Sequence, residues 1–317
     1  VTRVRPAAWG VGVRPATDDD LPVCGEIWRD ALNDYMARLG EPPVGEDLAP
    51  IGRLHAHLRA TDPDGFWVAA RDRHVIGFAA SVARGRVRFL SMLFVRPGEQ
   101  GAGVGPMLLE RVLPLDEGGI RATATDSAQP IANALYARLG VVPRLPLLSM
   151  VGRPTDWTAL PGLPDGVEAV TFESIAAGPP EGPGQAELAT AVDALDRDAV
   201  GFEHPADHAF LRREGRQGFL YRGPDNEPLG YGYTSKVGRV GPVAVADAAL
   251  TASVLGHLLG AIEPRGAWAV WVPGAAGPAV SALLAAGMRL EGFPVLLCWD
   301  RPFADFERYL PISPGLL

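Results

Sequence analysis

The segment Leu93-Phe94-Val95-Arg96-Pro97-Gly98-Glu99-Gln100-Gly101-Ala102-Gly103-Val104-Gly105-Pro106 joins an apolar run directly to a helical pattern. Such a junction turns several backbone N–H groups toward one point where the helix dipole is positive, which makes an anion cradle. Glycine at 101, 103 and 105 lets a phosphate approach the main chain, and loops of this kind often need positive φ. Pro106 falls in the first helical turn, where its missing N–H costs nothing. A dinucleotide fingerprint needs Gly-x-Gly-x-x-Gly after the first strand of a parallel unit, whereas Gly101-x-Gly103 is followed by Pro106 and preceded by antiparallel runs. A Walker loop needs a lysine, and the single lysine of the chain is Lys236. The spacing points instead to a pyrophosphate site at the end of the fourth strand of an antiparallel-led α/β domain.

The same residues resemble the acetyl-CoA motif of the GNAT superfamily of N-acetyltransferases. That motif is Val-x-Pro followed by (Arg or Gln)-x-x-Gly-x-(Gly or Ala), and Val95-Arg96-Pro97 with Gln100-x-x-Gly103-x-Gly105 fits each position. The second motif of the family, Asn-x-x-Ala-x-x-(apolar)-Tyr-x-x-x-Gly, is matched by Gln129-x-x-Ala132-x-x-Leu135-Tyr136-x-x-x-Gly140, with Gln129 where the family has Asn. The resemblance implies an α/β (α+β) fold in which each domain is a mixed, mostly antiparallel sheet with flanking helices. It also implies acetyl-CoA as cosubstrate, no metal, and a primary amine of a small molecule or peptide as acceptor. Carried over position by position, cofactor contacts fall on Leu93, Phe94, Val95, Gln100, Gly101, Ala102, Gly103, Val104, Gly105, Pro106, Gln129, Asn133, Tyr136 and Arg138.

Acetyl transfer from a thioester to an amine requires stabilising an oxyanion, delivering a neutral amine and protonating the departing thiolate. By the resemblance, a main-chain N–H among Leu93, Phe94 and Val95 meets the thioester carbonyl, and Tyr136 is the general acid. Side chains that would take the amine proton are Glu26, Asp34, His55, His57, Ser91 and Asp126, with Ser91 placed beside Tyr136 in the catalytic set because it sits on the fourth strand. A chain of water molecules would serve equally. His55 and His57 are two apart on a helix and so do not form a metal pair. Arg84, Arg86 and Arg88 alternate along the sequence and would guide an acidic acceptor or CoA from one strand face.

The elements that must position these groups follow from periodicity. Val11 and Val13 begin a strand, Thr17 and Asp18 cap an amphipathic helix over Leu21 to about Leu39, and a second helix spans Glu46 to Arg59. Phe66 to Ala70 and Val75 to Val82 form a hairpin around Arg71-Asp72-Arg73-His74, which is not a two-residue turn on this reading, and Arg86 to Val95 is the third antiparallel run. A helix from Val104 to Leu113, a strand from Ile120 to Thr125, a helix from Pro130 to Leu139 and a strand from Leu145 to Val151 complete the order β-α-α-β-β-β-α-β-α-β.

Residues 153–166, with Pro154, Pro161 and Pro164, carry neither period and read as a linker. The order then returns in eroded form: strands over Phe219 to Arg222, Leu229 to Tyr233 and Val240 to Val245, a helix from Asp247 to Ile262, a strand from Trp268 to Val272, a helix from Pro278 to Ala286 and a strand from Pro294 to Trp299. Phe66 and Gly77 have the same spacing as Phe219 and Gly230. The expected organisation is a GNAT domain over 1–152 and a degenerate GNAT-like copy over 167–317, whose role would be to shape or cover the acceptor pocket. That copy has no glycine after its fourth strand, Asp247 where a pyrophosphate would sit, and Leu283 at the position of Tyr136.

Composition bounds the rest. Gly 38 and Pro 30 among 317 residues fall below the level of a low-complexity chain, and the length suits two ordinary cores. The net charge of −8 argues against non-specific nucleic-acid binding. Residues 1–155 carry 18 basic and 17 acidic side chains while 156–317 carry 11 and 20, so an anionic ligand should prefer the first part. Cys24 and Cys298 make no metal-type spacing and no ladder of bridges, which suggests a reducing compartment. With no leader pattern and no apolar run long enough for a membrane, the expectation is a cytoplasmic monomer or homodimer with no nucleic-acid or membrane partner.

Overall fold

The structure is a computed structural model and describes residues 10–114, 117–177 and 182–317. The leader pattern sought at the N-terminus begins on residues outside that range. The chain divides into two compact units, Val1–Ala122 and Thr123–Leu317.

In the first unit the order is β1 (Val11–Pro15), α1 (Leu21–Leu39), α2 (Ala49–Thr61), β2 (Phe66–Arg71), β3 (His74–Arg84), β4 (Val87–Val95), α3 (Val104–Val112) and the start of β5 (Ile120–Asp126). Strands β1, β2, β3 and β4 pair successively and antiparallel. Strand β3 is buried on both faces from Val75 to Val82, as its unbroken apolar run requires. Phe66, Phe78 and Phe94 stack in series with ring centres 5.8 Å apart. Cys24, Ile27, Ala31 and Tyr35 recur at helical spacing and bury one face of α1. The β2–β3 connection corrects the sequence reading. Arg71 pairs with His74, so the turn is the two residues Asp72 and Arg73, at φ 47° and 70°. This is the backbone of a primed two-residue hairpin, concealed in the sequence because neither position is glycine.

Asp20 fixes the entry to α1. Its carboxylate accepts from Arg14 at 2.7 and 2.8 Å and from the amide and hydroxyl of Thr17 at 2.7 and 2.8 Å. Arg14 first, then the Thr17 donors, hold its pKa down at about 2 against the opposing effect of burial. A lowered carboxylate stabilises the fold above its unfolded pKa and loses that contribution as pH falls through the folded value. Asp20→Asn should therefore lower unfolding free energy at pH 7 by about 1–2 kcal/mol, a figure reduced because Arg14 is half exposed. Urea denaturation at pH 7 and again near pH 2 checks this: the gap from the unsubstituted protein should close in acid, and a gap independent of pH would contradict the assignment.

In the second unit β5 finishes and α4 (Pro130–Ala137), β6 (Val142–Gly152), β7 (Glu168–Thr171), α5 (Phe172–Ile175), α6 (Pro183–Ala199), α7 (Pro205–Arg213), β8 (Gln217–Arg222) and β9 (Pro228–Thr234) follow. Then come β10 (Arg239–Val240), β11 (Val243–Val245), α8 (Thr251–Ala261), β12 (Trp268–Pro273), α9 (Gly277–Ala285), β13 (Arg289–Leu290), β14 (Val295–Trp299) and β15 (Tyr309–Leu310). One sheet of this unit runs β14-β6-β12-β10, and the other β15-β11-β9-β8-β7. Strand β6 is paired along both edges, by β14 and β13 on one and β12 on the other. Those three partners all come from the C-terminal part of the chain. The segment read as a linker holds a single 3-10 turn, Trp157–Ala159, and no helix or strand.

The expected strand Val240 to Val245 is corrected to two. Val240 pairs in parallel with β12 in one sheet, while Val243–Val245 pair with β9 in the other. Gly241 at φ 111° and Pro242, which has no N–H, make the break. The glycine correspondence has a structural counterpart. Gly77 pairs with Val95 and a Cβ there would meet Phe94 O at 3.0 Å; Gly230 pairs with Val245 and a Cβ there would meet Ala244 O at 2.8 Å. Both cysteines are buried and free. No helix among the described residues is long and apolar enough to cross a membrane.

Candidate active site

Strand β4 ends at Val95, and the Arg96 amide donates to Ile76 O at 2.9 Å before the chain turns through a 3-10 segment, Pro97–Glu99. Arg71 grips Glu99 at 2.5 Å, and Gln100 folds back to donate its side-chain amide to Val95 O at 3.0 Å. Gly101 and Gly103 then take φ 82° and 90°, the left-handed region that side chains disfavour. Gly103 is the N-cap of α3 and offers no side chain to the helix, whose first bond to the preceding turn is from the Met107 amide to Gly103 O at 3.4 Å. The amides of Gly101, Ala102, Gly103, Val104 and Gly105 therefore donate to no protein acceptor among the described residues. A Cβ built on Gly101 or Gly103 would meet nothing within 4 Å. Open donors at a positive helix end, beside space no side chain fills, fit a phosphate. Val104 anchors this end against β3, lying 3.3 Å from where a Cβ on Gly77 would be.

Ser91 has a particular place on β4. Ala80 faces Met92 and Ser81 faces Leu90, so Ser91 is the extra residue of a β-bulge. Such a bulge bends the strand and re-aims the side chains near it. Leu93, Phe94 and Val95 follow, each half-buried.

In the second unit, Tyr136 lies on α4 and is buried. Burial first, then the neighbouring Cys298, raises its pKa above that of an ordinary phenol, so it stays protonated across the working range. Asn133 donates to Asp126 O at 3.0 Å and Gln129 O at 2.8 Å, which ties the first turn of α4 to the end of β5. Gln129 is half-buried as the N-cap of α4, and Arg138 is exposed.

The other sequence candidates have the following surroundings. Asp126 spends its carboxylate on the Ala128 amide at 2.8 Å, as an Asx turn. Asp34 pairs with Arg38 on the surface of α1, and Glu26 lies 3.8 Å from Arg96. His55 and His57 are both buried; His55 sits 3.2 Å from Met92 Sδ, and burial lowers its pKa to about 4. The arginine series does not form one face. Arg84 is at the end of β3 in a nearly buried pair with Asp62 at 2.8 Å, Arg86 donates to Gly118 O at 2.8 and 3.1 Å, and Arg88 is on β4.

The corresponding junction in the C-terminal part closes on itself. Asp247 accepts from the Ala249 amide at 2.9 Å as the cap of the 3-10 turn Ala248–Leu250 that precedes α8, and Leu283 is fully buried.

A model of the Acetyltransferase (GNAT) family matches residues 26–141. Residues 26–141 are a GNAT acetyltransferase domain. This GNAT domain contains the open turn, the bulged strand and Tyr136. A candidate acetyltransferase of Pyrococcus horikoshii aligns over 98% of this chain and 96% of its own at 16% identity, with a TM-score of 0.73. A GCN5-related N-acetyltransferase from Sphaerobacter thermophilus aligns over 95% and 99% at 17% identity, TM-score 0.60. A tandem GNAT protein from the clavulanic acid biosynthesis pathway aligns over 92% and 99% at 16% identity, TM-score 0.55. At these identities the likeness is one of fold, and it runs beyond the GNAT domain through the C-terminal half. No curated protein matches the chain.

Sequence reasoning passed over one constellation altogether. Asp196, His204 and His208 converge in the C-terminal half, all buried. The expectation of no metal came with the family resemblance and with the spacing of the cysteines and of His55 and His57, and the signal that would have found the trio is His204 and His208 four apart around Pro205 at a helix start.

Proposed function

We propose that the chain is an acetyl-CoA-dependent N-acetyltransferase acting on a primary amine of a small molecule or peptide. The observation that carries this reading is the turn of the GNAT domain whose amides from Gly101 to Gly105 are left without protein acceptors. Acetyl-CoA supplies the activated acyl thioester. The amides of residues 101–105 hold its diphosphate, with Gln100 and Pro106 framing them. A main-chain N–H among Leu93, Phe94 and Val95 orients the acyl carbonyl. Gln129 and Asn133 set the start of α4, and Arg138, an exposed cation, is assigned to a CoA phosphate. Tyr136 holds the proton needed by the departing sulfur, and Ser91, at the bulge, is assigned to the amine side.

The C-terminal half follows the same plan without a second acyl-CoA site, a reading supported by the Asp247 cap and by Leu283 at the tyrosine position. Two free buried cysteines suit a cytoplasmic location, and the chain is assigned as a monomer or homodimer.

The experiment is acetyl-CoA titration by calorimetry followed by a thiol-release assay across a panel of primary amines: polyamines, amino sugars, amino acids and peptide N-termini. Saturable binding with turnover on at least one class is expected. Binding with no turnover on any amine would replace this reading with that of a non-catalytic acyl-CoA-binding protein.

A further inference from the structure

Helices α6 and α7 bring three ligand-type side chains to one buried point. Asp196 lies in the last turn of α6, His204 is the N-cap of α7, and His208 follows one turn later. Their exposures are 0%, 0% and 2%. Asp196 Oδ2 is 3.3 Å from His204 Nε2 and 2.8 Å from His208 Nε2. Four ligands about 2.0–2.1 Å from a tetrahedral zinc stand about 3.3 Å from one another, and the three ligand atoms here all lie within 4.8 Å of one another.

The surroundings match a metal site in a second respect. His208 presents its other nitrogen to an oxygen, Nδ1 lying 3.0 Å from the Tyr233 hydroxyl, while His204 Nδ1 lies 3.5 Å from Asp207 Oδ2 without a hydrogen bond. That backing is what holds a ligating histidine in the tautomer whose Nε2 lone pair faces the ion. The Tyr231 hydroxyl donates to Asp196 Oδ1 at 2.5 Å, leaving Oδ2 to the imidazoles. The Tyr309 hydroxyl, 3.5 Å from His204 Nε2, is an oxygen within reach of a fourth position.

We propose that Asp196, His204 and His208 bind one divalent cation of borderline softness, zinc foremost, as a structural ion of the C-terminal half. Two nitrogens and one carboxylate oxygen are donors suited to that class. On loading, each Nε2 gives its lone pair to the metal, and a proton it carried moves to the same ring's Nδ1 or to solvent.

The test uses the full chain, purified without chelator or polyhistidine tag. Elemental analysis should find about one zinc per chain, and zinc chloride added to chelator-treated protein should bind in calorimetry with one-to-one stoichiometry and raise Tm. Asp196→Asn and His204→Gln should each weaken zinc binding at least about hundredfold. Should either variant fail to fold, cobalt(II) added to the chelator-treated, unsubstituted chain decides: visible absorption of a four-coordinate site supports the proposal. No uptake of zinc or cobalt by folded protein, or unchanged zinc affinity in folded Asp196→Asn, overturns it.

Discussion

Gly103→Asp raises the dissociation constant for acetyl-CoA at least about hundredfold, equivalent to about 2.7 kcal/mol, in a calorimetric titration. The substitution places a carboxylate among amides that otherwise point at open space, and their positive end then meets its own acid instead of a phosphate. Backbone strain contributes separately, because Gly103 sits at φ 90° and a side chain there costs about 1–2 kcal/mol. Gly103→Asn controls for this, since asparagine tolerates the left-handed region and carries no charge. It should bind acetyl-CoA more tightly than the aspartate variant, and the gap reads the electrostatic part. Undiminished affinity in a folded Gly103→Asp protein would remove the cradle from the account.

Tyr136→Phe lowers kcat at least tenfold and leaves the affinity for acetyl-CoA within about twofold, read by thiol release and calorimetry. The change deletes one oxygen from a side chain that α4 keeps buried, so packing of the ring survives. With ordinary pKa values of about 10 for a phenol and about 8.5 for a thiol, the proton moves uphill by about 2 kcal/mol, and the raised pKa of Tyr136 adds to that cost. Burial and the nearby Cys298 raise the phenol further, which makes it a donor throughout the neutral range and unsuited to act as a base. The pH–rate profile should accordingly show no loss of a Tyr136 proton below about pH 10. Equal rates for the two proteins would take Tyr136 out of the mechanism.

What the sequence made legible follows how local the signal is. The bounds of α1 could be read because Thr17 to Asp20, Pro22 and Gly40 mark both ends and the apolar residues keep one face between them. The turn at Gly101 and Gly103 could be read because the positions need glycine and the helix begins at once. The hairpin turn was misjudged since Asp72 and Arg73 adopt positive φ without the residue that usually announces it. The pairing of β6 was hidden for a different reason: it reads as the last strand of the first repeat, yet its partners β12, β13 and β14 arrive more than a hundred residues later. Nothing local encodes a pairing at that distance. The Asp196 trio escaped for the same reason, because the aspartate comes from the helix before the one carrying His208 and only packing brings them together.

The central claim is that main-chain amides at the strand-to-helix junction of the GNAT domain take the diphosphate of an acyl-CoA. A crystal of the full chain soaked with acetyl-CoA tests it most directly. The account predicts diphosphate density against the amides of residues 101–105. Diphosphate bound only at the junction around Asp247, or ordered acetyl-CoA lying away from both, would contradict it.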